Sequence, residues 1–469
     1  MFKKDHLFSY PSRRTVYAYD RPFLCGFYSF FPYLEYFHMP LNPQAAELNG
    51  AIRTHNHHVF SLLSEKGKNI FFPKRGILGQ TAEAKKCKIN ATIGSAKEEN
   101  GTTMCLDTLA EKVKLSAEDV FTYTSSYGKL VLREKWQDLI YHKNPGLHGR
   151  EISLPVICSA LTHGLSMGGY LFCDSGDKII VPELFWENYR MVFEQAYNAH
   201  LQTFNTFTRA GRFDCEAMKR ALLSGAPGKR ILLLNFPNNP TGYTPTEHEV
   251  VSIKQAILET AQAGNQIVVF VDDAYFGLVY EQDVTRESIF VQLSDLDERV
   301  LAVKFDGATK EDYAWGFRIG FVTFGCKNGS EELYVALEHK LSGAVRGSIS
   351  NASHLAQSLL LDTFTAPDYL NEKQRKFNVL KQRYDRIRQI MAGHPEYDSE
   401  FSSLPFNSGY FMCIKPHRID AETLRQKLLA DYSTGVIAQK GVIRIAFSST
   451  PLHFLDELFD NIYQASKSL

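Results

Sequence analysis

Val300-Leu-Ala-Val-Lys-Phe-Asp-Gly-Ala-Thr-Lys310 starts as an apolar run and ends in a short polar loop closed by a lysine, with Arg318 eight residues further on. Apolar residues in unbroken succession mark a strand buried on both faces, as in a parallel or mixed sheet. Further β-rich runs are Lys178–Pro182 and residues 230–235, 267–271 and 317–324, several of them likewise apolar on successive residues. Helical periods such as 247–263 separate some of these runs, giving the βαβ rhythm of an α/β domain. From about 353 the pattern turns helical, and shorter strands follow near 409–414 and 442–447.

In an open α/β sheet ligands bind beyond the carboxyl ends of the strands. Three segments occupy those ends: Asn235-Phe-Pro-Asn-Asn-Pro-Thr-Gly242, Asp272-Asp-Ala-Tyr275 and Asp306-Gly-Ala-Thr-Lys310. Each alone has an ordinary explanation, because Pro, Asn and Gly make turns and an Asp after a strand caps the next helix. Together they supply what pyridoxal phosphate requires. A lysine amine forms a Schiff base with the aldehyde. A carboxylate beside the pyridine nitrogen keeps the ring an electron sink, and a fixed cation with helix N-terminal amides holds the phosphate.

On these motifs the sequence resembles the fold-type I pyridoxal-phosphate enzymes of the class I/II aminotransferases, closest in pattern to the aspartate and aromatic aminotransferases, over about residues 88–450. The resemblance implies an α/β fold: a large domain with a mainly parallel seven-stranded sheet between helices, and a small α+β domain. The expected boundaries are an aromatic-rich segment 1–38, a small-domain part 39–105, the large domain 106–352 and the rest of the small domain 353–469. Lys310 matches the Schiff-base lysine and proton shuttle, and Asp272 the pyridinium partner. Asn239 and Tyr275 match the groups bonding the ring's phenolic oxygen, and Arg318 matches the phosphate arginine. Trp186 matches the residue stacked on the ring, Gly94 the glycine beside the substrate α-carboxylate, and Arg444 the arginine that forks that carboxylate. Tyr123 matches a tyrosine reaching the phosphate across a dimer interface. Arg346, in Val345-Arg-Gly-Ser-Ile-Ser-Asn351, matches a partner-subunit arginine directed at a distal carboxylate, on a loop that Gly343 and Gly347 make able to shift.

Departures from the family pattern fall on the phosphate site. The usual Ser-Gly-Thr-like turn is Ala160-Leu161-Thr162, which leaves Thr162 as the hydroxyl donor. A serine three residues before the lysine is replaced by Gly307, and Thr309 stands immediately before the lysine. The implied activity is transamination between an L-amino acid (aspartate, glutamate or aromatic) and a 2-oxo acid, by a homodimer with composite sites. The alternatives are a lyase using the same cofactor and, in a different class, a catalytically silent binding or regulatory protein.

Composition bounds the rest. Fifty-two Lys+Arg against 52 Asp+Glu, in 469 residues of which 44% are hydrophobic, indicate a soluble globular chain of more than one domain. This balance argues against a broadly basic nucleic-acid binder. The eight cysteines are scattered without a C-x-x-C pair, so neither a disulfide framework nor a metal site is expected. His55, His57 and His58 have no acidic or thiol partner at ligand spacing and read as a solvated helix face. No membrane span or signal peptide is evident, which makes the cytoplasm the default, and Met39 is a candidate start for translation.

Overall fold

The computed structural model describes residues 41–55, 60, 63, 68–69, 76–111 and 115–469. Residues 1–38, Met39, His57 and His58, on which expectations were placed above, lie outside the described residues. Residues 43–469 form one compact unit.

Its centre is a seven-stranded sheet: β1 (Val156–Cys158), β2 (Lys178–Pro182), β3 (His200–Phe204), β4 (Lys229–Asn235), β5 (Gln266–Asp272), β6 (Val300–Asp306) and β7 (Gly320–Cys326), in the order β1-β7-β6-β5-β4-β2-β3. β6, β5, β4, β2 and β3 run parallel, whereas β7 is antiparallel to both of its neighbours, β1 and β6. Residues 231–235 and 302–306 are buried throughout, Lys304 and Asp306 included, as strands covered on both faces require. The helices Ala160–Phe172 and Glu331–Ile349 contribute to the cluster on one face, while Glu247–Gln262 packs into the cluster on the other.

The last expected strand is shifted. Residues 315–317 make a 3₁₀ turn and Arg318 takes a left-handed conformation (φ 56°), so β7 starts only at Gly320. The interruption turns the chain toward the strand ends before it re-enters the sheet. β1 and β3 were not read from the sequence. β1 is only three residues long, and β3 is half-exposed along most of its length, so neither has a long apolar run.

A second, four-stranded antiparallel sheet comprises Phe401–Ser403, Phe411–Pro416, Ile437–Gln439 and Val442–Ala446. Ile89–Asn90 pairs in parallel with Thr434–Gly435, which joins the N-terminal part of the chain to the C-terminal part.

Two glycines beside the strand ends leave no room for a side chain. A Cβ at Gly307 would lie 2.7 Å from the Ile319 carbonyl oxygen, and one at Gly320 would lie 2.6 Å from the Ala160 carbonyl carbon. The serine expected by family pattern at 307 has no room, because the backbone of Ile319 and Gly320 lies against that position. Backbone cannot yield as a flexible side chain does. Gly320→Ala is therefore expected to destabilise the protein by about 1–3 kcal/mol, seen as a lower urea midpoint with an unchanged slope; an unchanged midpoint would show that the contact relaxes freely.

Candidate active site

Asn235 and Asp272 end neighbouring strands in direct register, and the Lys310 turn follows the next strand over. These ends open into a cavity of about 360 Å³. Gly94, Thr162, Trp186, Asn239, Asp272, Tyr275, Thr309, Lys310, Arg318 and Arg444 all line it.

Asp272 is buried on the cavity floor, and burial pushes its carboxyl upward. Opposing that push are the Tyr189 hydroxyl, which donates to Oδ2, the charge of Lys310, the Ala274 N–H (3.1 Å to Oδ1) and the charge of Lys304. Lys304 is itself buried, paired with Asp273 and 3.2 Å from Asp306. Asn235 bridges the site: its Nδ2 donates to the Asp272 carbonyl oxygen (2.8 Å) and its Oδ1 accepts from the Asn239 N–H (2.8 Å).

Lys310 sits in the short helix Ala308–Glu311, whose carbonyl at 310 accepts from the Tyr410 hydroxyl (3.1 Å). Burial pulls the Lys310 amine down to about 8; Asp272 opposes the fall and Arg318 adds to it. The amine lies 5.3 Å from the centre of the Tyr275 ring. An amine lowered this far is partly neutral near physiological pH, the state that attacks a carbonyl.

At one end of the cavity the helix Ala160–Phe172 begins without a side-chain cap. Its free N–H groups and dipole favour an anion. Thr162, Thr309 and Arg318 stand beside it. The Thr309 Oγ1 is buried without a hydrogen-bond partner, a costly state unless a ligand supplies one. At the other end, Arg444 projects from the middle of Val442–Ala446 and is buried against Phe411, 4.4 Å from the ring centre. Its guanidinium donates to Asn239 Oδ1 (3.2 Å) and to the Thr92 carbonyl (3.0 Å), and Nε has no partner. A buried fork with spare donors suits a carboxylate. The turn carrying Asn239 is fastened in place by Gly242 (φ 70°), where any Cβ would strike the Phe411 carbonyl oxygen at 1.8 Å.

Two expected residues do not line this cavity within one chain. Tyr123 is 90% exposed. Arg346 is exposed in the last turn of the helix Glu331–Ile349 and donates to Ser350 Oγ (2.9 Å). The segment expected as a shifting loop is thus helical: Gly343 and Gly347 lie inside the helix, and the arginine occupies the helix end that favours a cation. The sequence reading assigned no role to Tyr189, Asn235, Trp315, Ile77 or Thr81. Asn235 carried a signal, being the polar residue that ends an apolar run. The others reach the site only through tertiary packing. Among the described residues no group of His, Cys, Asp and Glu could hold a metal ion, and no helix is long and apolar enough to cross a membrane.

Comparison with known proteins gives this fold and strand-end site a family. The model of the family described as aminotransferase class I and II matches residues 86–462, and the chain belongs to that family. An aspartate aminotransferase of Bacillus subtilis is 24% identical over 222 residues, 47% of this chain and 51% of that protein. One from Geobacillus stearothermophilus is 23% identical over 287 residues, 59% and 66% respectively. The chain thus spans about half to two thirds of the length of these relatives. In structure it is similar to an aminotransferase from Anaerococcus prevotii (TM-score 0.76, 21% identity, covering 86% of this chain and 99% of that one). It is also similar in fold to an alanine aminotransferase from Pyrococcus furiosus (TM-score 0.69, 18% identity, 87% and 100%).

Burying a lysine charge has a thermodynamic consequence. Below about pH 8 Lys310 is protonated in both the folded and unfolded chain. Between about 8 and the ordinary lysine value of 10.5 only the unfolded chain keeps the proton, so this group makes stability rise with pH across that window. In the cofactor-free protein, Lys310→Met is expected to stabilise the fold at pH 7 by up to about 3 kcal/mol. The gain should shrink toward pH 10.5; a pH-independent gain would contradict a lowered lysine.

Proposed function

We propose that the chain is a pyridoxal phosphate-dependent transaminase that moves an amino group between an L-amino acid (aspartate, glutamate or an aromatic one favoured) and a 2-oxo acid. The observation that carries this reading is the placement of Lys310 and Asp272 at adjacent strand ends in one cavity, between an anion-binding helix start and a buried arginine. The orphaned buried atoms Thr309 Oγ1 and Arg444 Nε fit a ligand with a phosphate and a substrate with a carboxylate.

When bound, the cofactor supplies an aldehyde that the Lys310 amine captures and a ring that accepts the electron pair from the substrate Cα. Asp272 holds a proton at the ring nitrogen. Asn239 and Tyr275 bond the phenolic oxygen, while Trp186 covers a ring face. Thr162, Thr309, Arg318 and the helix start hold the phosphate. Arg444 forks the substrate α-carboxylate beside Gly94, which places the Cα proton within reach of Lys310. With the cofactor held there, the Lys310 amine would serve as the base that takes the Cα proton and as the acid that gives it back.

The remaining contacts come from a second copy of the chain. Tyr123 and Arg346 are exposed, and Phe121 (84% exposed), Leu130 and Val131 form an apolar group near Tyr123 in the chain. In the proposed homodimer Tyr123 reaches the partner's phosphate site and Arg346 the distal carboxylate of a dicarboxylic substrate.

Purified protein loaded with pyridoxal phosphate should be yellow and should convert aspartate, glutamate or tyrosine with 2-oxoglutarate into the matching oxo acid. Lys310→Ala should be colourless and inactive; retained transamination by that variant would refute the assignment. Release of pyruvate and ammonia without an oxo-acid acceptor would instead indicate a lyase. Mixing Lys310→Ala chains with Arg346→Ala chains should restore about a quarter of native activity on dicarboxylates, because half of the dimers are then mixed and each rebuilds one complete site. No recovery after subunit exchange would contradict a composite site.

A further inference from the structure

Tyr189 never meets the cavity, yet it touches two of its walls. Its side chain is fully buried, and its hydroxyl donates to Asp272 Oδ2. Its ring meets Trp186 edge-on, with centroids 5.5 Å apart and planes at 83°. Phe185 (6.3 Å) and Phe193 (6.1 Å) enclose the rest of the ring. The residue stands at the head of Arg190–Gln195, which is wound as a π-helix. Such wide turns are rare and gather at functional sites, where they re-aim a side chain.

We propose that Tyr189 is a positioning residue: by donating to Asp272 and buttressing Trp186, it sets both the charge and the orientation of the carboxylate that faces the cofactor ring and the tilt of the indole that covers it. This inference rests on the pyridoxal phosphate reading above.

A buried carboxylate has about four acceptor positions and is destabilised when they go unused. Ala274 N–H fills one on Oδ1 and Tyr189 fills one on Oδ2. The other titratable groups acting on Asp272 are Lys310 from the turn after β6 and Lys304 from β6 itself; Asp272 acts in turn on Tyr275, three residues on, and Arg318 on Lys310. Lys304 is committed to Asp273 and Asp306, and Lys310 acts on Asp272 through its charge. Tyr189 is therefore the side chain that fixes the carboxylate's rotation. Its phenol remains protonated across the working range, since burial, followed by the neighbouring Asp272 charge, drives its ionisation far upward. It acts as a permanent donor.

Removing the hydroxyl leaves the carboxylate with more of its charge directed at the ring and at the Lys310 nitrogen. Protons there should be held to higher pH. In the pyridoxal phosphate-loaded protein, Tyr189→Phe keeps the aromatic packing and should raise the pH midpoint of the visible absorbance change by about half a unit or more. An unmoved midpoint in a variant that loads normally would overturn the inference while leaving the cofactor reading intact. If native protein gains no visible absorbance, the cofactor reading fails, and a cofactor-free arm still decides the pairing. Urea unfolding of native, Tyr189→Phe, Asp272→Asn and the double variant should give a coupling of about tenfold or more in the unfolding constant at pH 7. Additive effects would overturn the inference. Should Tyr189→Phe alone fail to fold, folding of the double variant would support the pairing and its failure would overturn it.

Discussion

Asp272 and Lys310 stand at the ends of neighbouring strands, and burial pushes each toward its neutral form. Isolated charges in a protein interior are costly unless paired and hydrogen-bonded. Much of the surrounding structure can be understood as support for this pair. The Ala274 N–H and the Tyr189 hydroxyl bond the carboxylate, and Lys304 adds a cation behind it. Asn235 ties the Asp272 backbone to the turn that carries Asn239. Tyr410 fastens the Lys310 turn from the side of the second sheet. The support is rigid because it grows from strand ends, where register fixes which residues are neighbours.

The charge balance of the chain, 52 against 52, hides an uneven interior. Lys310, Arg318 and Arg444 line the cavity, with Asp272 as the carboxylate among its lining residues. Arg444 keeps an unpartnered Nε, and Arg318 lines the cavity together with the first residues of an uncapped helix. A ligand with two separated anionic groups completes that arrangement. This is why the proposed cofactor and substrate fit the residues better than a neutral molecule of the same size would.

Most of the central sheet was legible because its strands are unbroken apolar runs that end in polar residues. Asp272, Lys310 and Asn239 could be placed in one site from that pattern alone, since strand ends in a parallel sheet face the same way. Arg444, Trp186 and Gly94 needed the family resemblance, because they arrive from elements with no periodicity pointing at the cavity. The three-residue strand Val156–Cys158 is too short to show a period. The break at Arg318 was also hidden, as a left-handed arginine has no signature in a stretch that otherwise alternates like a strand. Tyr189 was quoted without a role: its hydroxyl meets Asp272 across 83 residues of sequence, and nothing local announces that. The glycines around Arg346 suggest a loop, yet both sit exposed on a continuous helix with open space about them.

The claim on which the rest depends is that Lys310 is the residue that captures the cofactor aldehyde. Borohydride reduction of the pyridoxal phosphate-loaded protein, followed by peptide mapping, tests it directly. The account predicts one stoichiometric pyridoxyl-phosphate adduct, on the peptide containing Asp306-Gly-Ala-Thr-Lys310. An adduct at another lysine, or none at saturating cofactor, would contradict it.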